Sequence, residues 1–340
     1  MSRYFISKII ALIAGISLLV IALVHNNNSI YTIDGKAYGT SWSIASTEYI
    51  NDNHKEEIKL IIDRIDNIAS NYKNDSEIAL INKNYKEYQF ISPDLFNILT
   101  IAKDVENISE GYFNIMLGKV SSNLGFSPTF GETLVQEKSS SYKLVEKNFS
   151  LQKSSSNWFD LSSIAKGYAV QEIHKYLIIN NFNNHIIDIG GEIIINGSNY
   201  DNSWTIGIQN PVSIYNDAKV IINNSSNNFL AIATSGEYRN YKSDNNGNKV
   251  SHTINPDTLK SINNNTLSVT VVHETSATYA DALATAFNVM GSDRAIRISN
   301  KYNIAIMIII NDLKPCQRLN RLLCYQEEVI YSDKWYYLNL

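Results

Sequence analysis

Apolar residues recur at helical spacing in several separate stretches of the chain, and at strand spacing or as short unbroken runs in several others. Ile58, Ile61, Ile62, Ile65 and Ile68 predict a helix over 56–70. The Asn71–Glu77 segment breaks it, and Ser76 can cap a short helix through Ile81. Leu95, Ile98, Leu99, Ala102 and Val105 predict a helix over 93–108, ended at Gly111. Ile164, Ala165, Tyr168, Ala169, Ile173, Tyr176 and Leu177 stripe a third helix, for which Asp160 or Ser162 can be the N-cap. Tyr279, Leu283, Ala286, Phe287 and Met290 stripe a fourth, from Ser276 to Met290, with Gly291 placed as its C-cap.

Between these lie strand patterns. Residues 30–44 read as a pair around an Asp34–Gly35 turn. Further strands are expected over 142–151, on both sides of Gly190–Gly191, and over 204–209, 220–222, 229–234, 267–272 and 304–310. Helices and strands mix without regular alternation. This predicts an α+β fold, with mixed or antiparallel sheets and packed helices.

The first residues have a different character. Arg3 and Lys8 precede an unbroken apolar run from Ile9 to Val24, and His25 and several asparagines follow. This is the layout of an export signal. The run is a little short for the roughly 20 residues of a full span and long for a simple signal core. No A-x-A site follows and no cysteine offers a lipid attachment point. The reading is an uncleaved anchor, with a cleaved signal as the alternative. Basic residues on the short side place the body outside the cytoplasm. The chain thus divides into a signal or membrane anchor over 1–30, a body over 31–312 and a tail over 313–340 with no assigned role. Cys316 and Cys324 lie in that tail, and could form a local disulfide or remain thiols.

The chain has 340 residues and a formal net charge of −4. Nothing in that balance suggests a nucleic-acid partner. Asparagine clusters fit turns between elements. The Gly190–Gly191 pair matches neither a dinucleotide fingerprint nor a P-loop.

Three features bear on chemistry. A helix that opens with free amides and carries Lys166 one turn in is a natural phosphate site. By itself it is equally a capped amphipathic helix. Asp281 and Thr285, at i and i+4 beside small Ala284, could form half a site for a hard cation such as Mg²⁺. By itself that is a solvated helical face. His252, in the polar turn Ser251–Thr258, could be a base, a ligand or a turn residue.

Taken together the segments resemble the ApbE-type FAD:protein FMN transferases. The stretches that carry the likeness are, in order, YGTSWSI, SNYKNDSEIALIN, GYFN, DLSSIAKGYAV, IDIGGEIIINGSN with WTIGIQNP, IATSGEYRNY, SHTINPDT and YADALATAFNVMG. They run from about Tyr38 to Gly291. The resemblance implies that Tyr38 and Tyr72 contact the flavin end of FAD, with Tyr112, Phe113 and Asn114 in the same pocket. It implies that Asp160 and Lys166 hold the nucleotide and that His252 lies beside the reacting diphosphate. It places Mg²⁺ at Ser163, Asp281, Ala284 and Thr285, with Ser163 and Ala284 giving backbone carbonyls. The implied reaction moves FMN from FAD to a threonine or serine hydroxyl of an acceptor flavoprotein, such as a subunit of a membrane redox pump, and releases AMP. FAD hydrolysis and a non-catalytic flavin carrier are the alternatives. The implied location is the extracytoplasmic face of a bacterial inner membrane. Many relatives have Asp where this chain has Asn114 and Gln171, and many carry the lipid-bearing cysteine that this chain lacks.

Overall fold

The computed structural model describes residues 8, 12–17, 28–128, 134–137, 140–213, 215, 217–236, 241–243, 249–314 and 324–338. The predicted anchor falls mostly outside these residues, and so do Cys316 and the side chain of Cys324. Among the described residues no helix is long and apolar enough to cross a membrane.

Eight strands form one sheet: β1 (Tyr31–Ala37), β2 (Thr40–Ser46), β3 (His185–Ile189), β4 (Glu192–Asn196), β5 (Leu230–Gly236), β6 (Thr266–His273), β7 (Ala305–Lys314) and β8 (Cys324–Tyr331). They lie side by side in chain order, each antiparallel to the next. The predicted α+β class, with antiparallel pairing, is what the structure shows.

Helices are inserted between neighbouring strands. Between β2 and β3 come α1 (Asp52–Ala69), α2 (Glu77–Lys83), α3 (Pro93–Ile108), α4 (Gly118–Asn123) and α5 (Ala165–Ile179). Between β6 and β7 come α6 (Ala277–Met290) and α7 (Ser292–Lys301). Local signals account for their starts. Asn51, Ser76, Ser92 and Ser276 each accept a backbone N–H at an N-cap, and Pro93 sits in the first turn of α3.

The sheet is covered on both faces. Ile44, Ile187, Ile189, Ile194, Ala231, Val269 and Ile308 point into the core shared with α1, α3, α5 and α6. On the other face Ile195, Ile232, Val272, Met307 and Ile309 pack with Trp204, Ile208, Ile222 and Trp335. Strand β7 is therefore buried on both sides, which explains its continuous apolar run.

Three boundaries differ from expectation. The first hairpin turns at Tyr38–Gly39, not at Asp34–Gly35. Both turn residues have positive φ, 52° and 73°, as a two-residue hairpin that matches strand twist requires. Gly35 instead lies inside β1 opposite Trp42. The single strand expected over 142–151 is two, Tyr142–Val145 and Ser150–Lys153, joined by a 3₁₀ turn. Residues 324–331, in the tail of no assigned role, form the outermost strand of the sheet.

Candidate active site

Helix α5 starts at Ala165, later than its polar prelude suggests. Its N-cap position is Ile164, and no side chain caps it there. Asp160 is spent on a local turn, where its Oδ1 accepts the Ser162 N–H at 3.0 Å. The carboxylate that serves the helix start comes from another helix. Asp281 Oδ2 in α6 accepts the Gly167 N–H at 2.8 Å. The Ala165 N–H is taken by the Leu161 carbonyl. Two of the amides at the start of α5 are thus already taken, one of them by a carboxylate of another helix.

Gly167 makes this arrangement possible. A Cβ there would stand 2.4 Å from the Ala277 carbonyl oxygen and 2.6 Å from Asp281 Cβ. Only glycine lets α5 and α6 approach this closely. The close approach sets Lys166 within electrostatic reach of Asp281.

A third charged group completes the cluster. Glu192, the first residue of β4, pairs with Lys166 at 2.5 Å, and its side chain is only 5% exposed. Burial pushes its carboxyl up to about 7, with the charge of Asp281 adding to the rise and Lys166 opposing it. Burial likewise raises Asp281, against the pull of Lys166 and the Gly167 N–H. Two carboxyls held high by lost solvation, with one lysine between them, make a place where added positive charge is favoured. Glu192 escaped the sequence reading. Its only signal was an acid placed directly after Gly190–Gly191 and before three isoleucines.

Asp160, in the prelude to α5, belongs to an aromatic rim. Its Oδ2 accepts from the Ser127 hydroxyl at 3.3 Å. Tyr72, 70% exposed, donates its hydroxyl to the Phe126 carbonyl at 2.5 Å. Partial burial and the nearby Asp160 charge raise the Tyr72 phenol. The His252 ring stands edge-on to Phe126, 6.2 Å between centroids. Four segments far apart in the chain therefore meet here. Phe126 and Ser127 lie in a stretch read only as polar and irregular.

Other expected residues sit differently. The Tyr38 hydroxyl donates to the Ile62 carbonyl of α1 at 2.7 Å, and burial raises it strongly. Its side chain is committed to the core, so the hairpin turn offers a ligand chiefly backbone. Phe113 is fully buried. Tyr112 lies under the Arg294 guanidinium, 4.5 Å from the ring centroid. Asn114 accepts the Met116 N–H at 2.8 Å in a turn that leads to Ile115, whose carbonyl accepts from Asp160 N. Gln171 accepts the Ala277 N–H at 2.8 Å and so secures the start of α6.

Among the described residues no group of three or more His, Cys, Asp or Glu side chains forms a metal cage. A hard cation that borrows most of its oxygens from a bound phosphate needs no such cage. Asp281 and Ala284 are buried and Ser163 and Thr285 half-buried, and their side-chain and backbone oxygens are of the kind that demand calls for. A cavity of about 470 Å³ is lined in part by Asp34, Ser43, Asp188 and Thr234. It has two carboxylates and no cationic side chain in its lining, the wrong charge for a diphosphate.

A model of the ApbE family matches residues 38–308 of this chain. The chain belongs to the ApbE family. The FAD:protein FMN transferase of Haemophilus influenzae is 30% identical over 330 residues, covering 90% of this chain and 92% of that protein. That of Vibrio cholerae is 29% identical over 315 residues, with 88% and 93% covered. The fold agrees with two solved structures. A flavin transferase ApbE from Vibrio cholerae superposes with a TM-score of 0.73 at 23% identity, covering 91% of this chain and 100% of that one. An ApbE protein from Thermotoga maritima gives 0.76 at 22% identity, covering 92% and 100%. The ApbE match ends at residue 308, so the last strand and the 3₁₀ turn after it lie beyond it.

Proposed function

We propose that this protein transfers FMN from FAD to a serine or threonine hydroxyl of an acceptor flavoprotein and releases AMP. The observations that carry this reading are Lys166 beside Glu192 and Asp281 at the contact of two close-packed helices, and a rim where Tyr72 and His252 meet at Phe126. The relatives' shared name, FAD:protein FMN transferase, supports it.

The chemistry fits the residues. Lys166 binds the diphosphate, and the aromatic rim takes a flat ring. The acceptor oxygen attacks the flavin-side phosphorus. A P–O bond to the acceptor forms, the P–O bond to the AMP oxygen breaks, and AMP leaves with that electron pair. His252 takes the hydroxyl proton, a step worth about 10²–10⁴-fold. The rest is alignment and charge neutralisation. Asp281 and Thr285, with the carbonyls of Ser163 and Ala284, would hold Mg²⁺, which supplies Lewis-acid polarisation of the phosphoryl oxygens when bound.

The N-terminal apolar run supports a body anchored at the extracytoplasmic side of a bacterial inner membrane, where an acceptor such as a redox-pump subunit would meet it. Incubation with FAD, Mg²⁺ and an acceptor flavoprotein tests the reading. AMP together with a covalently fluorescent acceptor is the expected result. AMP with free FMN would mean hydrolysis, intact bound FAD a carrier, and no binding would refute all three.

A further inference from the structure

We propose that Glu192 is a positioning residue: it aims the Lys166 ammonium at the diphosphate and acts on the reaction only through that lysine. The proposal rests on the FMN-transfer reading. It begins with a cost. A carboxylate at the edge of an apolar core is expensive to bury, and an apolar residue of similar volume is often at least as stable. Among the described residues Lys166 is the cation that faces it, at 2.5 Å; Asp281 and Asp188 add like charge. Stability alone gives no reason for an acid here.

Geometry gives one. Lysine is a point charge on a flexible four-carbon stem, with about 2 kcal/mol of rotamer entropy. Lys166 is 27% exposed, against 5% for its partner. Glu192 sits on β4, an inner strand between β3 and β5. The turn before it is pinned, since Asp188 Oδ1 accepts the Gly191 N–H at 2.8 Å. An inner strand therefore holds a fixed acceptor against the end of a long, rotatable side chain.

This arrangement predicts a split that a structural role would not produce. Glu192→Gln removes a negative charge beside an anionic ligand and also releases the lysine. FAD affinity, measured by flavin fluorescence without divalent cations, should stay level or tighten. Turnover should fall at least about tenfold, because misplacing a charged group by an ångström is costly. In a Lys166→Met background the same change should alter turnover less than about twofold, the non-additivity expected of residues that act as one unit. Glu192→Asp keeps the charge but withdraws it by one methylene. It should show the same split more weakly, and it decides the matter if the Gln variant does not fold. Unchanged turnover in the first variant, an equal loss with and without Lys166, or a loss confined to FAD affinity would overturn the proposal. Wild-type protein that fails to bind FAD would overturn the parent reading instead.

Discussion

Asp281 has two tasks, and they can be separated. One oxygen accepts the Gly167 N–H and so ties α6 to α5. Its charge also acts on the Lys166–Glu192 pair. Truncation to alanine would remove both, leaving a buried N–H unpaired at a cost of about 1–3 kcal/mol. Asp281→Asn keeps an acceptor oxygen and drops the charge. That variant should melt within a few degrees of wild type yet lose Mg²⁺-dependent turnover by at least about 100-fold. Turnover that survives would remove Asp281 from the metal site. His252 stands on the rim beside Phe126. His252→Ala should therefore lower kcat by about 10²-fold or more while FAD affinity changes little. A drop in affinity alone would assign it to binding.

At the scale of elements, α5 does more than carry Lys166. Its far end holds His174, whose Nδ1 lies 3.0 Å from Nε2 of His185 in β3. His185 Nδ1 lies 2.9 Å from the Phe182 carbonyl, which can only accept. His185 must therefore be protonated at Nδ1 and, when neutral, accept at Nε2 from His174. Burial pushes both imidazoles down to about 4, helped at His174 by its partner's charge. The folded state thus holds them neutral, while the unfolded chain takes up protons below about 6.5. Stability is full above pH 6.5 and declines as the pH falls towards 4. Between pH 7 and 5 the loss is roughly 2 kcal/mol for each imidazole. Denaturant melts should show this slope, and His174→Asn should flatten it. An unchanged slope would mean that the pair does not titrate as described.

For the whole molecule, the C-terminal strand matters more than its distance from the site suggests. Residues 324–331 cover β7, whose apolar run would otherwise form the open edge of the sheet. The turn that follows brings Trp335 onto Met307 and Ile309. A chain ending at Lys314 would expose a long, flat, hydrophobic edge, an invitation to aggregation. It should elute as aggregate in size-exclusion chromatography and lose its near-ultraviolet circular dichroism. A monodisperse, folded product would show that β8 is dispensable.

Much of this protein follows from its sequence alone. Periodicity and caps are local properties, and they placed α1, α3 and α6 and the buried character of β7 within a few residues. The α+β class followed from them. The ordered motifs pointed to Asp160, Lys166, His252 and Asp281 because each has the right chemistry in a recognisable setting. Tertiary structure decided the rest. Which carboxylate serves the start of α5 depends on how closely two helices pack, and Gly167 sets that distance. Glu192 became visible only when a strand from the middle of the sheet came under Lys166. Tyr38 turned out to be committed to α1, and Phe126 to belong beside His252. Contacts between residues distant in the chain leave no periodic trace in it, since each partner looks locally like an ordinary core, turn or surface residue.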